Sequence, residues 1–129
     1  MCIFCKIINK EIPAYIVYED DFVIAILDIY PMAKGHTLVI PKKHVTRLKE
    51  LSEEEAKKLF AGLKKVIEKI EKISPDYNII INQGPKAGQE IDHLHIHIIP
   101  RTGEEKIFYN IRHKLTEEEA KEVLEKLNG

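Results

Sequence analysis

The stretch Asp92-His93-Leu94-His95-Ile96-His97-Ile98-Ile99-Pro100 sets three of the chain's six histidines two residues apart among apolar neighbours. Side chains alternate across an extended strand, so His93, His95 and His97 fall on one face while Leu94, Ile96 and Ile98 fall on the other. The fold must therefore give this strand an apolar core on one side and a polar site on the other. Imidazole titrates near neutrality, so the row can supply a nucleophile, acid–base groups or metal ligands, and the row alone does not choose. Same-face neighbours lie ~6.6 Å apart along a strand, which is awkward for closing one small metal site from all three. Different tasks for different histidines are expected; storage of several metals along the row is the competing reading.

The rest of the chain frames that strand. A length of 129 residues suits one domain with one core. Twenty Lys and Arg balance twenty-one Asp and Glu, a net charge of −1, so no global field draws the chain to a polyanion and no nucleic-acid partner is expected. Apolar runs such as Tyr77 to Ile81 fall far short of the ~20 residues that cross a bilayer, so no membrane partner is expected either. Met1-Cys2-Ile3-Phe4-Cys5-Lys6 lacks the features of a secretory signal, which predicts a cytoplasmic protein. Cys2 and Cys5, too few for a disulfide scaffold, point to metal or redox chemistry.

Ile16 to Glu19 and Phe22 to Leu27 are β-rich runs around Asp20-Asp21 and predict a hairpin, with Asp28 just past its end. His36-Thr37-Leu38-Val39-Ile40-Pro41 reads as the next strand, and His44 follows it. Ser52 with Glu55 forms a capping box before Ala56, Leu59, Phe60, Leu63, Val66, Ile67, Ile70 and Ile73 at helical spacing, a long amphipathic helix. Tyr77 to Gln83 gives another strand. Gly84-Pro85-Lys86-Ala87-Gly88-Gln89 is a loop whose glycines would let backbone N–H groups approach an anion. Thr116 with Glu119 caps a final helix carrying Ala120, Val123, Leu124 and Leu127 on one stripe. Antiparallel-type strands interrupted by one long helix predict an α+β fold.

These segments match a known pattern. "HLHIHII", supported by "CIFCKIINKEIPA", "LDIYPMAKGHTLVIPKKH" and "NQGPKAGQEIDHLHIHIIPR", resembles the signature of the histidine triad family, over about Cys2 to Arg101. The resemblance is nearest to its Hint-like branch of nucleotide-binding hydrolases. It implies a curved antiparallel sheet of about five strands with one long helix and shorter terminal helices, a tail over 102–129, and pairing of two copies into a homodimer. It implies that His95 is the nucleophile, that His97 donates to phosphoryl oxygens or the leaving atom, and that His36 extends the polar network. A neutral nucleophile needs one ring nitrogen free, so its other N–H should be pinned, by a backbone carbonyl in the expected arrangement.

The same resemblance assigns Asp28 to the ribose hydroxyls, Phe4, Ile7, Ile26 and Ile29 to a base pocket, and Asn82, Gly88 and Gln89 to the ribose and phosphate. Glu90 departs from it: Ser or Thr is common there, and an ionised carboxylate cannot donate, so its side chain is expected to turn away. Relatives that keep the cysteine pair imply a structural zinc site of Cys2, Cys5, His44 and His93. The function expected is hydrolysis or transfer on purine nucleoside phosphoramidates or related conjugates, with no organic cofactor. Dinucleoside polyphosphate hydrolysis or nucleotidyl transfer is the first alternative, and a nucleotide-binding interaction module the alternative of another class. Tyr109 and His113 receive no role.

Overall fold

Alternation between apolar faces builds the sheet. The computed structural model describes residues 2–103 and 114–129. In it β1 (Ile16–Glu19), β2 (Val23–Leu27), β3 (Thr37–Pro41), β4 (Tyr77–Ile81) and β5 (Ile96–Pro100) form one antiparallel sheet in the order β1-β2-β3-β5-β4. The first hairpin closes because the Asp20 carboxylate accepts the N–H groups of Phe22 and Val23, each at 2.7 Å, a turn that aspartate's short side chain favours. After β3 the chain runs through α2 (Glu53–Ile70) to the sheet edge as β4, and β5 then returns to the middle.

Both faces of the central strands are covered. Val23, Ala25, Val39, Ile96 and Ile98 join Leu59, Leu63, Val66 and Ile70 of α2 in one core. Ile24, Ile26, Leu38 and Ile40 point the other way and pack with Phe4 and Ile7 of α1 (Ile3–Ile8). His97 lies opposite Leu38 in the β3–β5 register, which puts it on the α1 face, as strand alternation requires. The expected α+β class is borne out, with one long helix and a shorter helix at either end, α1 and α3 (Glu117–Asn128).

Three details differ from the sequence reading. The ladder of β5 starts at Ile96, so His93 and His95 precede it. Here the Leu94 N–H is donated to the Val45 carbonyl at 2.7 Å, beyond the end of β3, and the Pro41 carbonyl is taken by the His93 ring. On α2 the buried stripe is Leu59, Gly62, Leu63, Val66 and Ile70, while Phe60 and Ile73 are exposed. Phe60 sits about 100° round the helix from Leu59, and Ile73 falls after the helix ends. No residue of α3 is buried, so its apolar stripe does not bury itself against the described residues.

Gly62 marks the closest approach of α2 to the sheet. A Cβ there would lie 2.9 Å from Val23 Cγ2 and 3.1 Å from Val23 Cβ. Val23 is fully buried and β-branched, with little freedom to yield. Gly62→Ala gains about 1 kcal/mol of helix propensity but overpacks a tight contact, at a cost of about 1–3 kcal/mol. The substitution is expected to lower the urea unfolding midpoint; a raised midpoint would show that the contact is not limiting.

Candidate active site and metal centre

Five of the chain's histidines form one continuous line of rings on the α1 face. The ring centroids of His44 and His93 are 4.7 Å apart, those of His95 and His97 5.0 Å, and those of His97 and His36 5.2 Å. Phe4 of α1 bridges the gap between the first pair and the rest, edge-on to His93 at 5.8 Å and to His95 at 5.1 Å. His97 stands on β5, and His93 and His95 on the segment leading into it; His36 immediately precedes β3, and the loop after that strand carries His44.

At one end lie Cys2, Cys5, His44 and His93, whose ligand atoms all fall within 4.8 Å of one another. His44 Nδ1 is 3.1 Å from Cys5 Sγ and 3.6 Å from Cys2 Sγ; His93 Nδ1 is 3.3 Å from Cys2 Sγ and 3.7 Å from Cys5 Sγ. Tetrahedral zinc with ordinary bond lengths separates sulfur from nitrogen by about 3.5 Å, so this donor set fits a divalent soft-to-borderline metal. The His93 Nε2–H is donated to the Pro41 carbonyl at 2.8 Å, which leaves Nδ1 as the lone-pair nitrogen facing the thiols. Burial and the adjacent Cys2 raise the Cys5 thiol above its ordinary pKa. A bound metal reverses that sign. Burial also pushes the His93 imidazole down, toward the neutral form that coordinates.

The remaining rings have their protons fixed by their neighbours. His95 Nδ1 is 2.7 Å from the His93 carbonyl, which can only accept, so Nδ1 carries the hydrogen and neutral His95 has its lone pair at Nε2. The Met32 N–H is donated to His36 Nδ1 at 3.0 Å, so neutral His36 carries its hydrogen on Nε2 and donates it to His97 Nδ1, also at 3.0 Å. His97 then carries its own hydrogen on Nε2. A base and a donor thus stand side by side. Among the described residues every fully buried side-chain nitrogen or oxygen has a hydrogen-bond partner. Among the described residues the Nε2 atoms of His95 and His97 have none, so neither is fully enclosed, although His95 is only 7% exposed.

Burial, with His95 and His36 alongside, pushes the His97 imidazole down to about 4, and burial lowers His36 as well despite nearby Asp28. Both are therefore neutral at pH 7, which keeps the hydrogen pattern above in force. Asp28, His36 and His97 also converge within 4.8 Å, but His36 Nε2 must hold a proton while Nδ1 accepts from Met32. His36 and His97 form a hydrogen-bonded pair with Asp28 beside it, rather than a metal cage. Asp28 Oδ1 accepts the Tyr30 N–H at 2.8 Å, and its Oδ2 lies 3.5 Å from His36 Nε2.

Beside these rings opens a cavity of about 870 Å³, in the range that takes a nucleotide-sized ligand. Phe4, Ile7, Ile26, Ile29, Asp28, His36, Asn82, Gly88 and His97 all line it. His95, expected as the nucleophile, is not among the lining side chains; its ring packs against two that are, Phe4 and His97. Tyr15, Tyr30 and Met32, not singled out from the sequence, add a largely exposed apolar rim. Their only sequence signal is large apolar side chains in segments rich in turn residues.

The glycine loop behaves differently from expectation. The N–H groups of Ala87, Gly88 and Gln89 are bonded back to the Gly84 and Pro85 carbonyls at 3.0–3.1 Å, so they do not face an anion. The Gln89 side chain is not part of the cavity lining: its Oε1 accepts the Gly84 N–H at 2.8 Å and its Nε2–H is donated to the Thr46 carbonyl at 3.0 Å. Gln83, which sequence reasoning passed over, adds a second brace by accepting the Leu48 N–H at 2.8 Å. Glu90 is a correction: expected to turn away, it lines the cavity and is exposed. The backbone turns at Gly88, with φ of 90°, and brings the next segment along the cavity wall. Tyr109 and His113 lie outside the described residues.

Comparison with known proteins agrees with this arrangement. Residues 9–104 match the HIT domain family model. An uncharacterized HIT-like protein of Methanocaldococcus jannaschii is 57% identical over 102 residues, 78% of this chain and 79% of that protein. An adenosine 5'-monophosphoramidase of Schizosaccharomyces pombe is 45% identical over 105 residues, 81% of this chain and 77% of that protein. The crystal structure of a HIT family member from Bacillus subtilis superposes with a TM-score of 0.86 at 39% identity, covering 98% of this chain and 94% of that one. With the histidine line and its cavity in the same chain, the conclusion is that this protein belongs to the histidine triad (HIT) family of nucleotide hydrolases.

Proposed function

We propose that the chain hydrolyses purine nucleoside 5'-phosphoramidates, or related nucleotide conjugates, through a covalent nucleotidyl-His95 intermediate. The observation that carries this reading is the fixed hydrogen pattern: a free Nε2 lone pair on His95 next to an Nε2–H donor on His97. The relative named as an adenosine 5'-monophosphoramidase supports the substrate class. In the first step His95 Nε2 attacks the phosphorus of an N-protonated phosphoramidate. The N–P bond forms, and the bond to the leaving nitrogen breaks with its electron pair, releasing a neutral amine. Water then adds to phosphorus, the bond to Nε2 breaks, and the nucleoside monophosphate and one proton are released. His97 donates its Nε2–H to the phosphoryl oxygens where charge builds up.

Asp28 binds the ribose hydroxyls, Phe4, Ile7, Ile26 and Ile29 enclose the base, and Asn82 and Gly88 flank the phosphate. Gln89 acts by bracing the loop. Cys2, Cys5, His44 and His93 hold zinc, which when bound supplies folding energy and no step of the reaction. Thiols serving as ligands suit a reducing, cytoplasmic setting. The edge strand β4 carries exposed Ile79, and α2 carries exposed Phe60, apolar surface suited to a second copy in a homodimer.

Three measurements test this reading. Mixing the protein with an adenosine phosphoramidate should give an adenylylated chain by mass spectrometry. His95→Ala should lose both adduct and turnover, with kcat down by at least roughly a thousandfold; adduct on the variant would overturn the mechanism. Metal analysis should find one zinc per chain. A chelator, or Cys5→Ser, should lower the unfolding midpoint, since saturation at a thousand times Kd stabilises by about 4 kcal/mol; an unmoved midpoint would remove the zinc site. The His97 ring signals should stay flat from pH 8 to about 5 and move only near 4. Because this pKa is lowered from about 6.5, its stabilising contribution is complete above that value and is lost as pH falls between the two. His97→Asn should lose stability less steeply across that window, and a ring titrating near 6.5 would contradict the assignment.

A further inference from the structure

Glu90 is the departure that the reaction above does not use. It lines the cavity together with Asn82, just past β4, Gly88 on the loop that follows, and His97 of β5. The apolar wall comes from α1, β2 and their flanks, so Glu90 belongs to the end where a phosphoryl group and its substituent would lie. Its side chain is exposed, and among the described residues its carboxylate has no hydrogen-bond or ion-pair partner. Asp28, the other charged group on the wall, is already engaged with Tyr30 and His36. Among the described residues no Lys or Arg lines this cavity. The two described histidines of the wall, His36 and His97, add no positive charge at neutral pH, since burial holds both below their ordinary range.

A cavity meant for a nucleotide therefore carries two carboxylates and no described cation. An anionic substrate approaching an unpaired carboxylate is repelled unless it brings a positive charge of its own. The phosphate cannot carry that charge, and a purine base sits among apolar side chains. Only the group leaving from phosphorus remains.

From this placement we infer that Glu90 is a specificity-determining residue that selects nucleotide conjugates whose leaving group is a cationic amine and rejects those whose leaving group is anionic. The inference rests on the hydrolase reading proposed above and narrows its substrate class. A carboxylate also suits the transition state of that reaction, in which the departing nitrogen is protonated until its bond to phosphorus breaks. A neutral alkylamine gains only that second effect, and a sulfate or phosphate leaving group gains neither.

The test compares kcat/KM for three adenosine conjugates: the phosphoramidate of diaminopropane, with an ammonium at its far end; that of butylamine, similar in length and neutral; and adenylyl sulfate. The wild-type protein should favour the diaminopropane conjugate over the butylamine one by about three- to tenfold, the size of a partly screened charge pair. Glu90→Gln should bring that ratio close to one and raise relative turnover of adenylyl sulfate, and Glu90→Lys should invert the preference. Added salt should shrink the wild-type ratio. An unchanged ratio in both variants, or an equal fall for all three conjugates, would overturn the inference while leaving the hydrolase reading standing. Failure of the wild-type protein to turn over any of the three would overturn both.

Discussion

The hydrogen bond from His95 Nδ1–H to the carbonyl of His93 is the interaction on which the rest of the site depends. At 2.7 Å, to a group that can only accept, it decides where the His95 proton resides and which nitrogen faces outward. Yet that carbonyl is only as well placed as residue 93 itself. Its ring is held at both ends, by the Pro41 carbonyl through Nε2–H and by the thiol pair through Nδ1. One residue thus presents its side chain to the sulfur cluster and its backbone to the neighbouring imidazole. The cluster and the His95 ring are therefore joined through one residue.

The sheet makes that unit possible by separating two incompatible requirements. One face takes α2 and the larger apolar core, and the other takes α1, the line of rings and the cavity. Ile96 and Ile98, fully buried against α2, fix the strand from behind, so the side chains between them have little freedom on the opposite side. Polar groups can then be buried at His36, His93 and His95 because each of their enclosed nitrogens has a partner. Precision at the site comes from packing on the reverse of the strand as much as from the site's own hydrogen bonds.

Much of this was legible in the sequence, for definable reasons. β1 and β2 stood out as β-rich runs beside turn residues, β3 as an apolar run stopped by proline, and the histidine strand by its period of two. The capping boxes at Ser52 and Thr116 are present at both predicted helix starts. What escaped depends on groups far apart in the chain. The resemblance already pointed to His93 as a metal ligand, but nothing local shows that the Gln89 amide is engaged by Thr46, forty-three positions earlier. The glycine loop was misleading because glycine permits an anion-facing backbone without requiring one; here its N–H groups close on their own turn. Glu90 was misplaced because chemistry, not geometry, argued for excluding it.

The shortness of α1 has a consequence of its own. Six residues are far too few to hold a helix in isolation. The segment's docking relies on Phe4 and Ile7 and on sulfur partners that include a histidine ninety-one positions later. During ribosomal synthesis this segment must therefore wait until nearly all of the sheet has followed it. Completion of the pocket becomes a late event in the life of each new chain: a helix made before the sheet is among the last parts to find its place.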